Sequence, residues 1–218
     1  LPQPLQAINW DDQRSLGKNN ILLESSSIFA VKTDSTPKAS PSTYQLSATK
    51  IINALQSKRA VFLGEHHPEF RDHLLQAALI RRLHASVGGK PLAVGIEAVQ
   101  RQFQPVLDDY IAGRIDEQEL IAATDWERRW FWSFTAYAPV FLTCRELGVK
   151  LIALDVDSED KAKVELGGLS SLGKTKLLEY VPDEEGFDRF GRTRAFHEYV
   201  SYTLSPPYNL QKKFSQKM

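Results

Sequence analysis

The 218-residue chain is 42% hydrophobic and carries 27 basic and 27 acidic side chains, enough for one globular domain of ordinary size. This balanced charge argues against nucleic acid or an anionic membrane as a partner, because both attract proteins with a basic excess. The one cysteine, Cys144, excludes an intramolecular disulfide and a zinc or iron–sulfur site built from cysteines. No stretch approaches the roughly 20 apolar residues that cross a bilayer, so we expect no transmembrane segment.

Residues 1–44 alternate short apolar patches with Ser-, Thr- and Pro-rich text that ends in KTDSTPKASPST. Such text buries little apolar surface and contains many turn signals. We interpret it as an extended N-terminal arm, a tether or partner-binding extension with one short hairpin in NILLESSSIFAVKT; a plain disordered leader is the alternative. Because the chain begins with Leu1, we also expect that a targeting segment has been removed, as in export or organelle import.

Three strand-to-helix units follow from Tyr44 onward. A helix with apolar residues at 46, 51, 52 and 55 precedes a predicted strand over Ala60–Leu63, and Pro68 opens a second amphipathic helix. The stretch PLAVGIEAVQ predicts a strand that ends at Glu97 and is followed by a helix through Tyr110, and VKLIALDVDSED predicts a third strand and helix. This order predicts an α/β fold with a mainly parallel sheet flanked by helices.

Two further helical stretches lie between the second and third strands, at residues 116–123 and 126–147. In the longer one, aromatic residues recur at steps of four or three, which is typical of the buried stripe of an amphipathic helix; they are Trp126, Trp130, Phe134, Tyr137 and Phe141. The alternative is that part of this wall lines a flat aromatic ligand. A short helix in TRAFHEYVSYTL ends the predicted domain, and residues 206–218 form a polar tail.

Polar side chains cluster where the predicted strands end: Glu65, His66 and His67 after the first, Glu97 after the second, and Asp155 with Asp157 after the third. The carboxyl ends of parallel strands lie at one edge of a sheet, so we expect a common crevice there. Carboxylates and imidazoles are the groups that a divalent cation or general acid–base chemistry requires. Glu65, His67 and Glu97 are therefore predicted metal ligands.

Structural roles remain open for several of these residues. Glu65 could accept hydrogen bonds from a helix N-terminus, His67 could cap the following helix, and Asp157 with Asp160 resembles a capping pair. Glu97 has apolar neighbours in the sequence and would be costly to bury unpaired, which favours a functional role.

Other histidines and one tyrosine complete the candidates. His73 and His84 are expected at the surface or partly packed. His197, in the last helix, is a candidate cofactor ligand if that helix covers the crevice, and Tyr110 is a candidate phenolate ligand for iron. The chain contains no GxGxxG, P-loop or GxSxG motif, which argues against a nucleotide site and a nucleophilic triad.

The segments VFLGEHH, AVGIEAVQRQFQPVLDDYIAG and YAPVFLTCRELGVKLIALDVDSED resemble, in this order, the ChaN-like haem-binding family, which shares a clan with the Tiki metalloproteases and erythromycin esterases. The resemblance spans about residues 45–205. The later run YVPDEEGFDRFGRTRAFHEYVSYTLSPPY is especially similar to the plant and algal branch, whose members are chloroplast proteins. Asp155 stands where the family usually carries Asn, and relatives continue past the end of this chain, which implies a C-terminally truncated domain.

This resemblance implies an α/β domain in the chloroplast with haem or another tetrapyrrole as ligand, for which His66, His67, His197 and Tyr110 are the candidate residues. The clan relatives imply instead a metal-dependent hydrolase, in which Glu65 and Glu97 would be catalytic. A third hypothesis is a non-catalytic docking subunit or assembly factor of a thylakoid membrane complex, attached through its N-terminal arm and C-terminal tail. We rank tetrapyrrole binding first, the docking subunit second and the hydrolase third.

Overall fold

The computed structural model describes Leu23, residues 26–32 and residues 42–203. The chain divides into two compact units, residues 1–157 and residues 158–218, and each is described by itself. Most of the predicted arm and all of the predicted tail lie outside the described residues. The predicted boundaries at residues 44 and 205 therefore stay predictions.

The first unit contains four strands and six α-helices among its described residues. In chain order these are β1 (Ile28–Lys32), β2 (Ser42–Leu46), α1 (Ala48–Leu55), α2 (Phe70–Ser86), β3 (Ala93–Gln100), α3 (Gln104–Ile111), α4 (Glu117–Ala123), α5 (Trp126–Arg129), α6 (Phe134–Leu147) and β4 (Lys150–Asp155). A 3₁₀ turn at Arg101–Phe103 joins β3 to α3.

The strands of the described residues form two separate two-stranded sheets. β1 pairs with β2 in antiparallel fashion, so within the described residues Ile28–Lys32 pairs with residues 42–46 rather than inside the predicted hairpin. β3 pairs with β4 in parallel, with Ala93 opposite Lys150 and Ile96 opposite Ala153. A parallel pair flanked by helices confirms the predicted α/β class.

The predicted strand over Ala60–Leu63 is wrong in the described structure. These residues have no regular secondary structure, and the Phe62 side chain is 95% exposed. Apolar β-branched and aromatic composition favours a strand only where a neighbouring strand can supply hydrogen bonds, and no described strand pairs with this run. The sheet of the first unit therefore contains two of the three predicted parallel strands.

One face of the β3–β4 sheet is buried and the other is open. Ile96, Ala98, Leu151 and Ala153 face the core, whereas Leu154 is 56% exposed on the other face. Gly95 permits the close approach of Leu154, because a Cβ at position 95 would lie 2.6 Å from Leu154 Cδ1.

The Gln104 side chain forms hydrogen bonds with the backbone along the outer edge of β4. Gln104 Nε2 donates to the Leu151 carbonyl at 2.9 Å, and Gln104 Oε1 accepts from the Ala153 N–H at 2.8 Å. The side-chain amide therefore takes the place of a further strand for one backbone carbonyl and one backbone N–H. This makes the edge less able to pair with a strand of another chain.

Helix α6 passes through the main core and packs on α2. The two helices are joined at the surface by a bidentate ion pair, in which Arg81 donates to both carboxylate oxygens of Glu146 at 3.1 and 2.8 Å. The predicted continuous helix over residues 126–147 is wrong at its start: Trp130 is extended, and the Ser133 hydroxyl accepts from Thr135 N–H to begin α6 anew. The break allows Trp126 Nε1 to donate to the Trp132 carbonyl at 2.9 Å.

The second unit is helical in its described part. Its helices are α7 (Ser158–Gly167), α8 (Lys174–Tyr180), α9 (Glu184–Gly191) and α10 (Arg194–Thr203), with a 3₁₀ turn at Leu169–Leu172. Asp160 links two of them, since it accepts from Lys163 Nζ at 2.7 Å and from the Tyr180 hydroxyl at 2.9 Å. Across the described parts of both units, every helix is too short or too polar to traverse a bilayer.

A buried polar trio connects α3, α4 and α6. The Tyr110 hydroxyl donates to Glu117 Oε1 at 3.2 Å, Arg145 Nη1 donates to the same oxygen at 3.3 Å, and the Arg145 guanidinium lies over the Tyr110 ring. Tyr110 and Glu117 are buried. Removal of the Glu117 carboxylate would leave both donors without this acceptor.

We expect Glu117→Ala to lower the free energy of unfolding by about 2–3 kcal/mol, because the buried Tyr110 hydroxyl and the partly buried Arg145 guanidinium lose their shared acceptor. Urea unfolding of the variant and of Glu127→Ala would measure this. Glu127 is exposed, so its replacement is the matched control and should change stability by less than about 0.5 kcal/mol. Equal stabilities of the two variants would show that the trio contributes nothing.

Candidate functional site

Three of the side chains predicted at the strand ends come together. Glu65 and His67 lie in the irregular segment between α1 and α2, and Glu97 lies in β3. Each offers a ligand atom, and these atoms lie within 4.8 Å of one another. β3 continues to Gln100, so the prediction that this strand ends at Glu97 is wrong. Glu65 and His67 are half-buried, whereas Glu97 is exposed. Alternation along β3 explains this, since residues 93, 95 and 97 face the open side of the sheet.

The Glu65 carboxylate is held by three side chains. Oε1 lies 2.8 Å from His67 Nδ1, and Oε2 lies 2.9 Å from His73 Nε2. Gln76 Nε2 donates to Oε2 at 3.2 Å. Because His73 and Gln76 belong to α2, the carboxylate connects this helix to His67.

His73 is a residue that sequence reasoning missed. It was expected at the surface or partly packed, but it is 1% exposed. Its Nδ1 lies 3.0 Å from the Glu69 carbonyl, which can only accept, so this nitrogen carries a proton. Nε2 lies at ion-pair distance from Glu65, although the ring does not direct it along a hydrogen bond. The signal was present in the sequence: His73, Ala77 and Ile80 lie at steps of four and three on the buried face of α2.

His67 lies among aromatic side chains supplied by the break between α5 and α6. Its ring stacks on Trp132 with centroids 4.3 Å apart and planes at 22°, and Trp130 meets it edge-on at 5.5 Å. The Tyr137 hydroxyl lies 2.9 Å from Nδ1. His67 does not cap α2, because that role belongs to Glu69, whose side chain accepts from Arg71 N–H.

The aromatic stripe of residues 126–141 therefore divides between core and site. Trp126, Phe134 and Phe141 are buried in the main core, as the core interpretation predicts. Trp130 and Tyr137 contact His67 directly. Trp132, which that spacing did not include, makes the closest ring contact.

The carboxylates of Glu65 and Glu97 lie near the Tyr137 hydroxyl. Burial raises the pKa of Tyr137 to about 12, and the nearby carboxylates of Glu65 and Glu97 add to this increase. The hydroxyl therefore stays protonated at neutral pH and remains a hydrogen-bond donor at the site.

A cavity of about 810 Å³ opens beside these residues. Its walls come from the irregular segment, α2, α6 and the open face of the β3–β4 sheet. Most of the lining is apolar, and Glu65, His67 and Glu97 lie in its wall; the apolar lining includes Val61, Phe62, Leu63, Ile80, Val140, Phe141, Ile152 and Leu154. This size and character fit a small organic ligand.

The other predicted cofactor ligands lie elsewhere. The side chain of His66 is 92% exposed, and its backbone N–H and ring Nδ1 lie 2.8 and 3.0 Å from Asp72 Oδ2. These hydrogen bonds lower the pKa of Asp72. Tyr110 is fully buried and does not line the cavity; burial raises its pKa, which disfavours the phenolate that an iron ligand needs. The structure therefore does not support Tyr110 as a ligand.

His197 belongs to the second unit, where it lines a separate cavity of about 510 Å³ with Leu177 and Phe187. Its role as a ligand stays a prediction.

The two aspartates at and after the end of β4 accept hydrogen bonds from backbone N–H groups. Asp155 Oδ1 accepts from the Val156 N–H at 2.9 Å, and Asp157 Oδ1 accepts from the Gln102 N–H, also at 2.9 Å. Asp157 thus holds the 3₁₀ turn after β3, which is a structural role different from the predicted capping pair with Asp160; that pair stays a prediction. Asp155 also lines the cavity.

Comparison with known families shows the family of this chain. The family described as "Haem-binding uptake, Tiki superfamily, ChaN" matches residues 51–203. The chain belongs to this family. That match confirms the resemblance and covers every residue of the Glu65, His67 and Glu97 cluster.

Among curated proteins, this ChaN/Tiki family member is similar to the protein RETICULATA-RELATED 5, chloroplastic, of Arabidopsis thaliana, with 28% identity over 159 residues. The match covers 68% of this chain and 20% of that protein, so the chain corresponds to a fifth of its relative's length. The relative supports the plant plastid branch of the family. No solved structure matches the chain.

Charge replacement at Glu97 tests the geometry of the cluster. We expect Glu97→Gln to lower the Tyr137 pKa from about 12 toward the ordinary value of 10, because a nearby negative charge that opposes phenolate formation is removed. Ultraviolet titration at alkaline pH measures this, and Tyr137→Phe identifies the signal. Glu127→Gln, at an exposed position of α5, is the control. An unchanged Tyr137 pKa in Glu97→Gln would show that Glu97 does not lie near the hydroxyl.

Proposed function

We propose that the chain binds haem or a related tetrapyrrole in the 810 Å³ cavity, with His67 as the axial ligand. The observation that carries this proposal is the Glu65–His67 pair, which lies in the wall of a largely apolar cavity. Membership of the haem-binding family supports the same ligand class.

The contacts of His67 suit an axial ligand. Glu65 Oε1 lies at ion-pair distance from His67 Nδ1, 2.8 Å away, and the Tyr137 hydroxyl forms a hydrogen bond with the same nitrogen at 2.9 Å. Both contacts are made by Nδ1, so Nε2 is the ring nitrogen that would bind iron. A histidine ligand whose other ring nitrogen has such partners is held in orientation. Trp132 restricts rotation of the ring by stacking on it.

The cavity walls suit a flat, largely apolar ligand. Leu154 and Phe62 line the cavity and are strongly exposed, so a ligand that covers them would remove their surface from water. Trp130 and Trp132 add aromatic surface beside His67, which favours stacking.

A divalent cation is a second candidate ligand, favoured by one specific observation. The 4.8 Å cluster of two carboxylates and one imidazole offers the donor set that Zn²⁺ or a similar ion accepts. His67 belongs to both proposed ligand sets. Haem and a cation at this cluster should therefore compete.

The contacts of Glu65 bear on the hydrolase hypothesis. A general base needs a carboxylate oxygen that can face a water molecule. In the structure both oxygens contact other side chains, those of His67, His73 and Gln76. This arrangement favours Glu65 as a residue that positions His67.

We also propose a plastid location, which the chloroplastic relative supports. Association with the thylakoid, and docking to a membrane complex through residues 1–44 and 206–218, stay predictions because these segments lie largely outside the described residues.

Haem titration of adjacent histidine variants tests the first proposal. We expect the native chain and His66→Ala to give a Soret band of equal intensity and position. His67→Ala should bind haem at least about tenfold more weakly, because an iron–nitrogen bond is lost. Absorption spectroscopy measures both effects. His66 is a closely matched control, since it is the adjacent histidine and does not line the cavity.

Three results would contradict the proposal. These are the lack of a Soret shift in the native chain, equal haem affinity in His67→Ala, and loss of binding in His66→Ala as severe as in His67→Ala.

Replacement of Glu97 separates the two ligand classes. We expect Glu97→Gln to weaken Zn²⁺ binding at least about tenfold. Loss of a side chain that binds the metal should reduce the affinity at least as much as loss of a group that only hydrogen-bonds to a metal ligand. The same variant should change haem affinity by less than about threefold, because His67 is the proposed iron ligand. Calorimetry with Zn²⁺ and absorption with haem measure the two. Unchanged Zn²⁺ affinity would exclude Glu97 from the metal site.

A further inference from the structure

The cavity has two chemically different ends. The acidic and imidazole cluster lies at Glu97, in the second half of β3. Lys58 and Arg59 also line the cavity, and both are exposed. These two cations are not needed for iron or metal coordination at His67.

The position of the cations follows from local packing. Lys58 N–H donates to the Leu55 carbonyl at 2.8 Å, so Lys58 lies within one turn of the end of α1. Leu55 packs against the same core cluster as Leu92, the residue before the first residue of β3. The end of α1, next to the basic pair, and the beginning of β3 therefore border one cluster, whereas Glu97 lies five residues beyond Leu92.

The separation between these ends is set by the strand. Glu97 lies four residues after Ala93, which corresponds to about 13 Å at about 3.3 Å per residue. The wall between them is apolar and includes Val61, Val94 and Ile152. A ligand that extends along this wall meets a metal-ligating group at one end and two positive charges at the other.

We propose that Lys58 and Arg59 bind the carboxylates of the ligand, so that the cavity selects a tetrapyrrole with acidic side chains in one orientation. This inference rests on the proposed tetrapyrrole function. Arginine and lysine form charge-assisted hydrogen bonds with carboxylates, and arginine can do so through two parallel bonds. Charge complementarity favours an anionic edge here, because the carboxylates at the other end would repel it.

Porphyrin esters test this without involving iron. Metal-free protoporphyrin and its dimethyl ester have the same ring and differ in the charge of their two carboxyl groups. Fluorescence titration of the 218-residue chain measures the ratio of their affinities. We expect the native chain to bind the free acid about tenfold more tightly than the ester, the effect of one charge-assisted hydrogen bond.

The double variant Lys58→Gln, Arg59→Gln should bring this ratio close to one and leave the affinity for the ester unchanged. The matched control is Lys174→Gln, Arg189→Gln, which removes the same charges from exposed positions in the second unit and should keep the native ratio. His67→Ala should also keep the ratio, since no metal is present in the probe.

The possible failures are distinguishable. A double variant with the native ratio overturns the role of Lys58 and Arg59 and leaves tetrapyrrole binding intact. Equal loss of acid and ester affinity in the double variant also overturns it, because the pair would then act on the fold of the cavity. A native chain that binds neither porphyrin nor haem overturns both this inference and the proposed function.

Discussion

The candidate site depends on one carboxylate, that of Glu65. Residues 60–66 form no strand or helix in the described structure, so backbone pairing does not hold them in place. Glu65 anchors this segment to α2 through His73 and Gln76, and Gln76 also donates to the Gly64 carbonyl at 3.4 Å. The same carboxylate then fixes the ring of His67.

The break between α5 and α6 is the second requirement of the site. A continuous helix over residues 126–147 would place the residues at 130 and 132 on different faces, because successive helical residues turn by about 100°. Extended backbone at Trp130 and a new cap at Ser133 instead bring Trp130 and Trp132 against the same imidazole. The helix is thus interrupted where the aromatic rings meet His67.

The sequence predicted the parts of this arrangement that depend on local pattern. The runs that became β3 and β4 have the composition of strands, and the polar residues that follow apolar runs pointed to Glu65, His67 and Glu97, which the structure brings together. Family resemblance supplied the ligand class that we propose, which pattern alone could not. The absence of pairing at Ala60–Leu63 could not be predicted, because the composition of a strand contains no information about whether a partner lies beside it.

The remaining differences are consequences of tertiary contact. From the sequence alone, His73 resembles a surface histidine and Tyr110 a possible iron ligand. In the structure Glu65 lies against His73, and Glu117 and Arg145 contact Tyr110. Glu97 has apolar neighbours in the sequence, and alternation along a strand with one open face exposes it. In each case the packing of the folded chain, which the neighbouring sequence does not specify, decides whether the side chain is buried and what it contacts.

The exposed apolar side chains beside the site bear on the choice between the two proposed ligand classes. A cation at Glu65, His67 and Glu97 would need the polar cluster alone and would leave the apolar walls in water. Among the described residues, Phe62 and Leu154 are 95% and 56% exposed beside the cluster. Covering one such side chain stabilises a complex by about 1.5–3 kcal/mol when burial is complete. A flat organic ligand such as the proposed tetrapyrrole would gain this contribution, whereas a metal ion would not, so the exposed apolar surface supports the first proposal over the second.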